Sequence, residues 1–306
     1  MRNSGKSYQG DITMKIYSCT TYFNEDDIFD IKYNSEKDWV DEIHIAEADY
    51  TFRKRYKGFN FRLPEEYDEN KCKVVYNKLY VKHKFVKNNL AGKLMLFPLR
   101  LKRDFYSKIV RNPSWHNEMY QHNAITDNIQ PEDDDIIILS DIDEILNPDM
   151  KDELISACRE HGIITVKLRF SMFYFNLFSL NWAGPADYSY RLFIMTGKYF
   201  KENKIRCDKL RKMGENHKLE DTVWCYPEFA GWHHSWLGDE NFVMNKLNSY
   251  SHIKEHDGFN SIEAVQKSLE RGVSLFPEHK LEKNNDVKLL PYIESNRDGR
   301  FKKYFL

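Results

Sequence analysis

The first half of the chain alternates short apolar runs with amphipathic stretches. Lys15 to Thr21 (KIYSCTT) is β-branched and aromatic, the pattern of a first strand. The polar Asn24-Glu25-Asp26-Asp27 then opens a stretch carrying Ile28, Phe29 and Ile31, and acidic side chains in a first helical turn complement the helix dipole. Glu42 to Ala48 (EIHIAEA) alternates Ile43 and Ile45 as a second strand, and Lys73 to Tyr76 reads as a third. Strand, helix and strand at this spacing predict an α/β fold with a parallel sheet.

Further along, Asn112-Pro113 starts a helix, with Asn as cap and Pro at the first position, followed by Trp115, Met119 and His122 at helical spacing. Asp133-Asp134-Asp135 leads into Ile136-Ile137-Ile138-Leu139, a buried central strand. Asn147-Pro148 opens another helix, expected to end near His161-Gly162, and Ile163 to Phe170 is the next strand. From Ser171 to Trp236 the chain is aromatic and expected to be loop-rich, without helical periodicity. Ser261 to Arg271, before Gly272, is a final capped helix. No repeat or Pro/Ser linker divides the chain. Residues 1–13 read as a polar lead-in and 14–306 as one domain.

Composition narrows the function. The 306 residues carry 46 Lys and Arg against 47 Asp and Glu, a formal charge of −1. A general nucleic-acid binder needs a basic surplus to neutralise phosphates, so no nucleic-acid partner is expected. Hydrophobic residues at 41 % support a large core. The five cysteines (Cys19, Cys72, Cys158, Cys207, Cys225) form no CxxC pair, which reads as reduced thiols. No apolar run approaches a membrane span and the N-terminus lacks the apolar core of a secretory signal. The expected location is therefore cytoplasmic, in a bacterium or a virus-infected cell. The oligomeric state is not legible.

The segment with most chemistry is Asp135 to Glu144 (DIIILSDIDE), where an apolar strand delivers Asp141 and Asp143 to its carboxyl end. Ligands in open α/β sheets sit at that end. Two carboxylates at i and i+2 in an extended chain share a side, and burying both is costly unless a cation compensates. Mg²⁺ or Mn²⁺ suits such oxygen ligands and leaves positions for a substrate diphosphate. The plainer reading is that the two acids cap the helix opened by Asn147 or sit in a solvated turn. Glu144 either orients the site or begins the next turn. A second cluster, Ala230 to Trp236 (AGWHHSW), sets two Trp and two His around a Gly, with Ser249-Tyr250-Ser251-His252 following. Aromatic faces stack on sugar rings, and a neutral imidazole from His233 or His252 can complete a metal site. The ordinary reading of His234 is a hydrogen-bonded structural residue, and that of Trp232 is core.

With these residues in view the sequence resembles glycosyltransferase family seventeen, which contains the β-1,4-mannosyl-glycoprotein N-acetylglucosaminyltransferase. The blocks are Tyr22-Phe23-Asn24-Glu25; Val40-Asp41 through Glu47-Ala48-Asp49-Tyr50-Thr51-Phe52; Asp134 through Glu144; and Ala230 through Trp236 with Lys246-Leu247 and Ser251-His252. Trp115, Glu118, Tyr120, Gln121 and Asn123 form a further block. The resemblance implies a GT-A fold with a Rossmann-like mixed sheet. It also implies a nucleotide-sugar donor, a bound divalent metal and inversion at the anomeric carbon. It divides the domain into a nucleotide-sugar half, 14–170, and an acceptor half, 171–306. Thr21, Asn24, Glu25, Glu47, Thr51, Asp141 and His233 carry over as donor-binding candidates. Asp141, Asp143 and His252 carry over as metal candidates. UDP is the expected nucleotide and N-acetylglucosamine the sugar suggested by analogy. Two features depart from the family: His122 stands where an Arg is expected, and the membrane anchor and stem of animal members are not expected here. Ser171 to Tyr226 differs from the animal enzyme, so the acceptor is expected to be another glycan.

The mechanism implied is attack of an acceptor hydroxyl on the anomeric carbon, with the metal stabilising the departing diphosphate and a carboxylate taking the proton. Glu255, Asp187, Asp239 and Glu240 are candidates for that base, Glu255 first. Two other classes compete. An aspartate-nucleophile phosphohydrolase would use Asp141 as nucleophile and Asp143 as acid and base, but Ile145 stands where that class wants Thr or Val. A non-catalytic carbohydrate-binding protein would use the aromatics alone.

Overall fold

The computed structural model of the chain describes residues 14–67, 73–79, 86–87, 89–101, 111–183, 186–249 and 261–306. The lead-in expected over 1–13 lies outside the described residues, as do His252 and Glu255. The elements run β1 (Ile16–Tyr22), α1 (Asp26–Glu36), β2 (Glu42–Ala48), β3 (Lys73–Leu79), α2 (Leu90–Met95), α3 (Phe97–Arg100) and α4 (Pro113–Ala124). They continue with β4 (Ile136–Asp141), β5 (Glu144–Leu146), α5 (Lys151–His161), β6 (Ile163–Met172), β7 (Leu177–Ser179), β8 (Tyr188–Ser189) and β9 (Phe193–Thr196). Then come α6 (Gly197–Asn203), α7 (Cys207–Glu215), β10 (Trp224–Ser235), α8 (Glu240–Ser249), α9 (Ile262–Arg271), β11 (Leu281–Lys283) and α10 (Pro291–Ser295).

One mixed sheet joins the strands in the order β11-β7-β6-β9-β4-β1-β2-β3, with β10 pairing β5 and β6 and β8 pairing β6. Strands β4, β1, β2 and β3 are parallel neighbours, the βαβ core that the apolar rhythm predicts. Beyond β4 the pairing turns antiparallel, through β9 to β6. Both faces of the sheet are covered, because strand side chains alternate in direction. Ile136 and Ile138 pack on one face with Ile43, Ile45 and the α1 residues Ile28, Phe29 and Ile31. Ile137 and Leu139 pack on the other with Tyr17, Cys19, Ala46, Ala124, Cys207 and Leu210. A third apolar cluster ties the ends of β6 and β10 (Phe170, Met172, Trp236) to α8 and α9 through Val243, Leu247, Val265 and Leu269.

The caps expected from the sequence are in place. The Asn112 side chain accepts from Ser114 N and that of Ser261 from Ala264 N. Gly162 and Gly272 end α5 and α9 at positive φ, where a Cβ would be strained. The Asn147-Pro148 start differs slightly: a single 3₁₀ turn, Pro148–Met150, precedes α5.

The larger difference lies between 171 and 236, which holds two helices and a twelve-residue strand in place of the expected loops. The buried positions of α7 include Cys207, Leu210, Arg211 and Gly214, which do fall at helical spacing. Two of the four are not apolar, so the period is hidden from a hydrophobic count. In β10 the residues from Ala230 to Ser235 are all buried, which erases the in-out alternation that marks a half-exposed strand.

Candidate active site

The carboxyl ends of β1, β2 and β4 open into a cleft of about 400 Å³. Thr21 comes from β1, Glu25 from the turn before α1, and Thr51 from the loop after β2. Asp141 ends β4, and Asp143 follows in the turn before β5. His122 enters from α4, Arg191 from the segment before β9, His233 from β10 and Lys246 from α8. Trp182, Trp236, Phe276 and His279 form an aromatic side of the same cleft, with Glu278 beside them.

Within this cleft Asp141 and Asp143 take separate sets of partners. Thr21 Oγ1 donates to Asp141 Oδ1 at 3.2 Å, His122 Nε2 lies 3.4 Å from the same oxygen, and Arg211 pairs with Oδ2. Asp143 Oδ1 faces His233 Nε2 and Oδ2 faces Lys246 Nζ, each at 3.4 Å. Lys246 also reaches Glu25 Oε1 at 3.3 Å. Glu144 has no exposed side-chain surface: it accepts from Asp141 N at 2.8 Å and from Arg211 at 3.1 Å, and Arg191 Nε lies at 3.4 Å. Glu144 therefore orients the site from beneath. Lys32 completes this lower layer, fully buried, donating to Ser140 Oγ at 2.9 Å and Glu144 O at 3.0 Å with Glu36 at 2.9 Å.

Charge balance accounts for the ionisation of these groups. Burial works against the charge on Asp141, but Arg211, His122 and Arg191 outweigh it and hold its carboxyl well below the usual carboxylate range. The same contest on Asp143, decided by His233 and Lys246, also leaves its carboxyl low. Burial opposes the charge of Lys246, and Asp143 and Glu25 reverse that and push it up. His234 behaves oppositely. Burial, helped by neighbouring His233, pushes it down to about 3, so it is neutral and shares a 2.7 Å hydrogen bond with Ser171.

A divalent ion fits one part of this constellation. Asp143, Glu144 and His233 offer donor atoms all within 4.8 Å of one another, and all three are buried. His233 Nδ1 has no hydrogen-bond partner among the described residues. The 3.4 Å between His233 Nε2 and Asp143 Oδ1 is long for a hydrogen bond. It is close to the ~3.0–3.4 Å between two donors that share one ion at ordinary bond lengths. Glu144 is already engaged by two guanidinium groups, so Asp143 and His233 are the available donors.

The other residues expected in the site are distributed as follows. Thr21, Glu25, Thr51, Asp141 and His233 line the cleft. Glu47 acts one step back, pairing Lys57, which lines the cleft, and accepting from Asn60 N and Phe61 N. Asn24 Oδ1 accepts from Asn60 at 2.6 Å on the adjacent rim. Asp187 and Asp239 are exposed and outside the cleft lining, and Asp239 caps α8 by accepting from Phe242 N. Glu240 takes part in an exposed contact with Gln266. Trp232 is buried in the main core. Reasoning from sequence missed Arg191, Arg211 and Glu278. Nothing local marks them, since charged residues usually belong to a solvated face.

No helix among the described residues is long and apolar enough to cross a membrane. No family model matches the chain, so the resemblance to family seventeen rests on the sequence blocks alone. No curated protein matches it either. Among solved structures it is similar to that titled "Crystal structure of S. aureus TarS 1-349", at 14 % identity and a TM-score of 0.38. The alignment covers 76 % of this chain and 63 % of that one, so the chain spans less than two thirds of that neighbour's length.

Proposed function

We propose that the protein transfers a sugar from a nucleoside-diphosphate donor, UDP-linked in the first instance, to a hydroxyl of a glycan acceptor. The observation that carries this reading is the pair Asp141 and Asp143 at the carboxyl end of the central strand, Asp143 buried and Asp141 partly buried, both lining a cleft that also has an aromatic side. A phosphate-rich ligand and a sugar ring need those two surfaces side by side. Asp143 and His233 would hold Mn²⁺ or Mg²⁺, which when bound supplies positive charge against the donor diphosphate. Lys246, already beside Asp143, adds a fixed cation to the same place. Arg211 and Glu144 keep Asp141 turned toward the cleft.

The acceptor side is the wall of Trp182, Phe276 and His279. Trp182 is held there by stacking on Phe170 at 3.9 Å between ring centroids. Glu278 lines this wall with its side chain 69 % exposed and is our first candidate for the carboxylate that takes the acceptor proton. Glu255 is the alternative base. A phosphohydrolase is disfavoured, because Asp141, its required nucleophile, is engaged by Thr21, His122 and Arg211.

The test is release of UDP from UDP-N-acetylglucosamine and other UDP-sugars, with and without Mn²⁺. The expected outcome is metal-dependent turnover that Asp143→Ala lowers by about 100-fold or more. Glu278→Gln and Glu255→Gln then identify the base, whose loss abolishes transfer to acceptor while donor hydrolysis persists. Equal turnover without metal, or in Asp143→Ala, refutes the metal role. Phosphatase activity without sugar-nucleotide turnover refutes the transferase.

A further inference from the structure

Lys246 places a fixed positive charge against the acids of the cleft. Its ammonium lies 3.4 Å from Asp143 Oδ2, 3.3 Å from Glu25 Oε1 and 5.7 Å from the centre of the Trp236 ring. Glu25 and Asp143 are buried and the lysine side chain is only 18 % exposed, so solvent screens these charges little. Each partner is held in place. Glu25 Oε2 accepts from Phe23 N at 2.9 Å and from Asn24 N at 3.0 Å, which leaves Oε1 for Lys246. The carbonyl of Asp143 accepts from His234 N at 2.9 Å, which ties its turn to β10. Lys246 itself stands on α8, anchored by Val243 and Leu247 in the third apolar cluster and by Arg53 Nη1, which donates to Asn248 O at 3.2 Å.

The two oxygens of Asp143 are thereby divided. Oδ1 faces His233 Nε2, the pair available to an ion, and Oδ2 faces the ammonium. A divalent ion on that pair would share one carboxylate with Lys246, and like charges on one carboxylate repel strongly where solvent is scarce. A nucleoside diphosphate brings the negative charge that answers both cations at once. Glu25 and the face of Trp236 remain to hold the ammonium in the cleft when Asp143 turns to an ion.

We infer that Lys246 is a resident counter-cation of the acid site, opposing divalent-metal binding to the empty cleft and so making metal and nucleoside diphosphate bind as a pair, a role that rests on the transferase reading only for the identity of the nucleotide. Reciprocity fixes its form: the factor by which UDP tightens Mn²⁺ is the factor by which Mn²⁺ tightens UDP. A strut that only joins α8 to the turn after β1 would lose stability on removal and gain no metal affinity.

The experiment measures Mn²⁺ affinity of the full chain by electron paramagnetic resonance of the free ion, with and without UDP. The proteins are the parent, Lys246→Met and Lys246→Arg. The parent should bind Mn²⁺ about tenfold tighter or more when UDP is bound. Lys246→Met, which keeps an unbranched side chain without its charge, should bind Mn²⁺ alone about tenfold tighter than the parent or more, with a smaller gain from UDP. Lys246→Arg keeps the charge and should stay within about threefold of the parent. Lys246→Gln repeats the measurement if the Met variant does not fold, and the effect of UDP on the parent needs no variant. Unchanged or weaker Mn²⁺ binding by the neutral variants overturns the inference. So does a parent whose Mn²⁺ affinity is the same with and without bound UDP, or UDP binding with no Mn²⁺ binding by any of the proteins. Tighter Mn²⁺ binding by the neutral variants with no UDP binding at all supports the counter-cation and overturns the nucleotide reading instead.

Discussion

Arg211 is the residue on which the acid cluster depends most. It is buried, contacts both Asp141 and Glu144, and is itself pushed up in pKa by them, against the opposing effect of its own burial. Replacing one member of a buried ion cluster leaves the others uncompensated, which costs about 3–5 kcal/mol. Arg211→Leu should therefore lower the free energy of unfolding in urea by about that amount. Arg211→Lys should recover only part, because an ammonium cannot fork across two carboxylates. An unchanged urea midpoint in Arg211→Leu would mean that the cluster does not need its cation.

At the scale of elements, the position of His233 depends on how closely β10 approaches β5. Gly231 pairs with Leu146 across that antiparallel contact, two residues before His233, which faces Glu144. A Cβ on Gly231 would lie 2.2 Å from Ile145 O and 3.0 Å from Leu168 Cδ2. The first of these is backbone and cannot swing aside. Gly231→Ala should force β10 away from β5, destabilise the fold by roughly 1–3 kcal/mol and weaken Mn²⁺ binding through displacement of His233. Differential scanning calorimetry with a metal titration measures both. Normal stability with normal metal affinity would place the strand contact elsewhere in importance. The sequence marks Gly231 only as part of an aromatic cluster; its structural reason is the carbonyl of a strand some eighty residues earlier.

Across the whole molecule, the C-terminal segment is clamped to the first helix. Arg300 Nη2 and Lys303 Nζ each lie 2.9 Å from the Asp27 carboxylate, and Tyr304 Oη donates to it at 2.6 Å. Arg300 and Tyr292 also reach Asp30, at 2.7 and 2.9 Å. Burial works against the charge on Asp27, but Tyr304, Lys303 and Arg300 hold its carboxyl below the ordinary carboxylate value. The folded-state pKa is thus lower than the unfolded one. The stability linked to Asp27 is complete above about pH 4 and is lost as pH falls through the folded value. Asp27→Asn should reduce stability at neutral pH and flatten the decline below about pH 4. Parallel pH–stability curves for the variant and its parent would show that the clamp is energetically silent.

The α/β class, the order of the first strands, the caps at Asn112 and Ser261 and the acid pair after Ile136–Leu139 were all legible in the sequence. Each rests on local rules: side-chain alternation, helix-end hydrogen bonding and the chemistry of neighbouring carboxylates. The cations that answer those acids were not legible. Arg211 and Arg191 lie tens of residues away in chain order, Arg211 on a helix whose hydrophobic rhythm is broken by the charge it buries and Arg191 on the short segment between β8 and β9. Which oxygen faces Arg211, which faces His233, and the aromatic side of the cleft are matters of long-range packing. Only folding brings those side chains within a few ångströms, because compensation of a buried charge is a property of a place in space and not of a position along the chain.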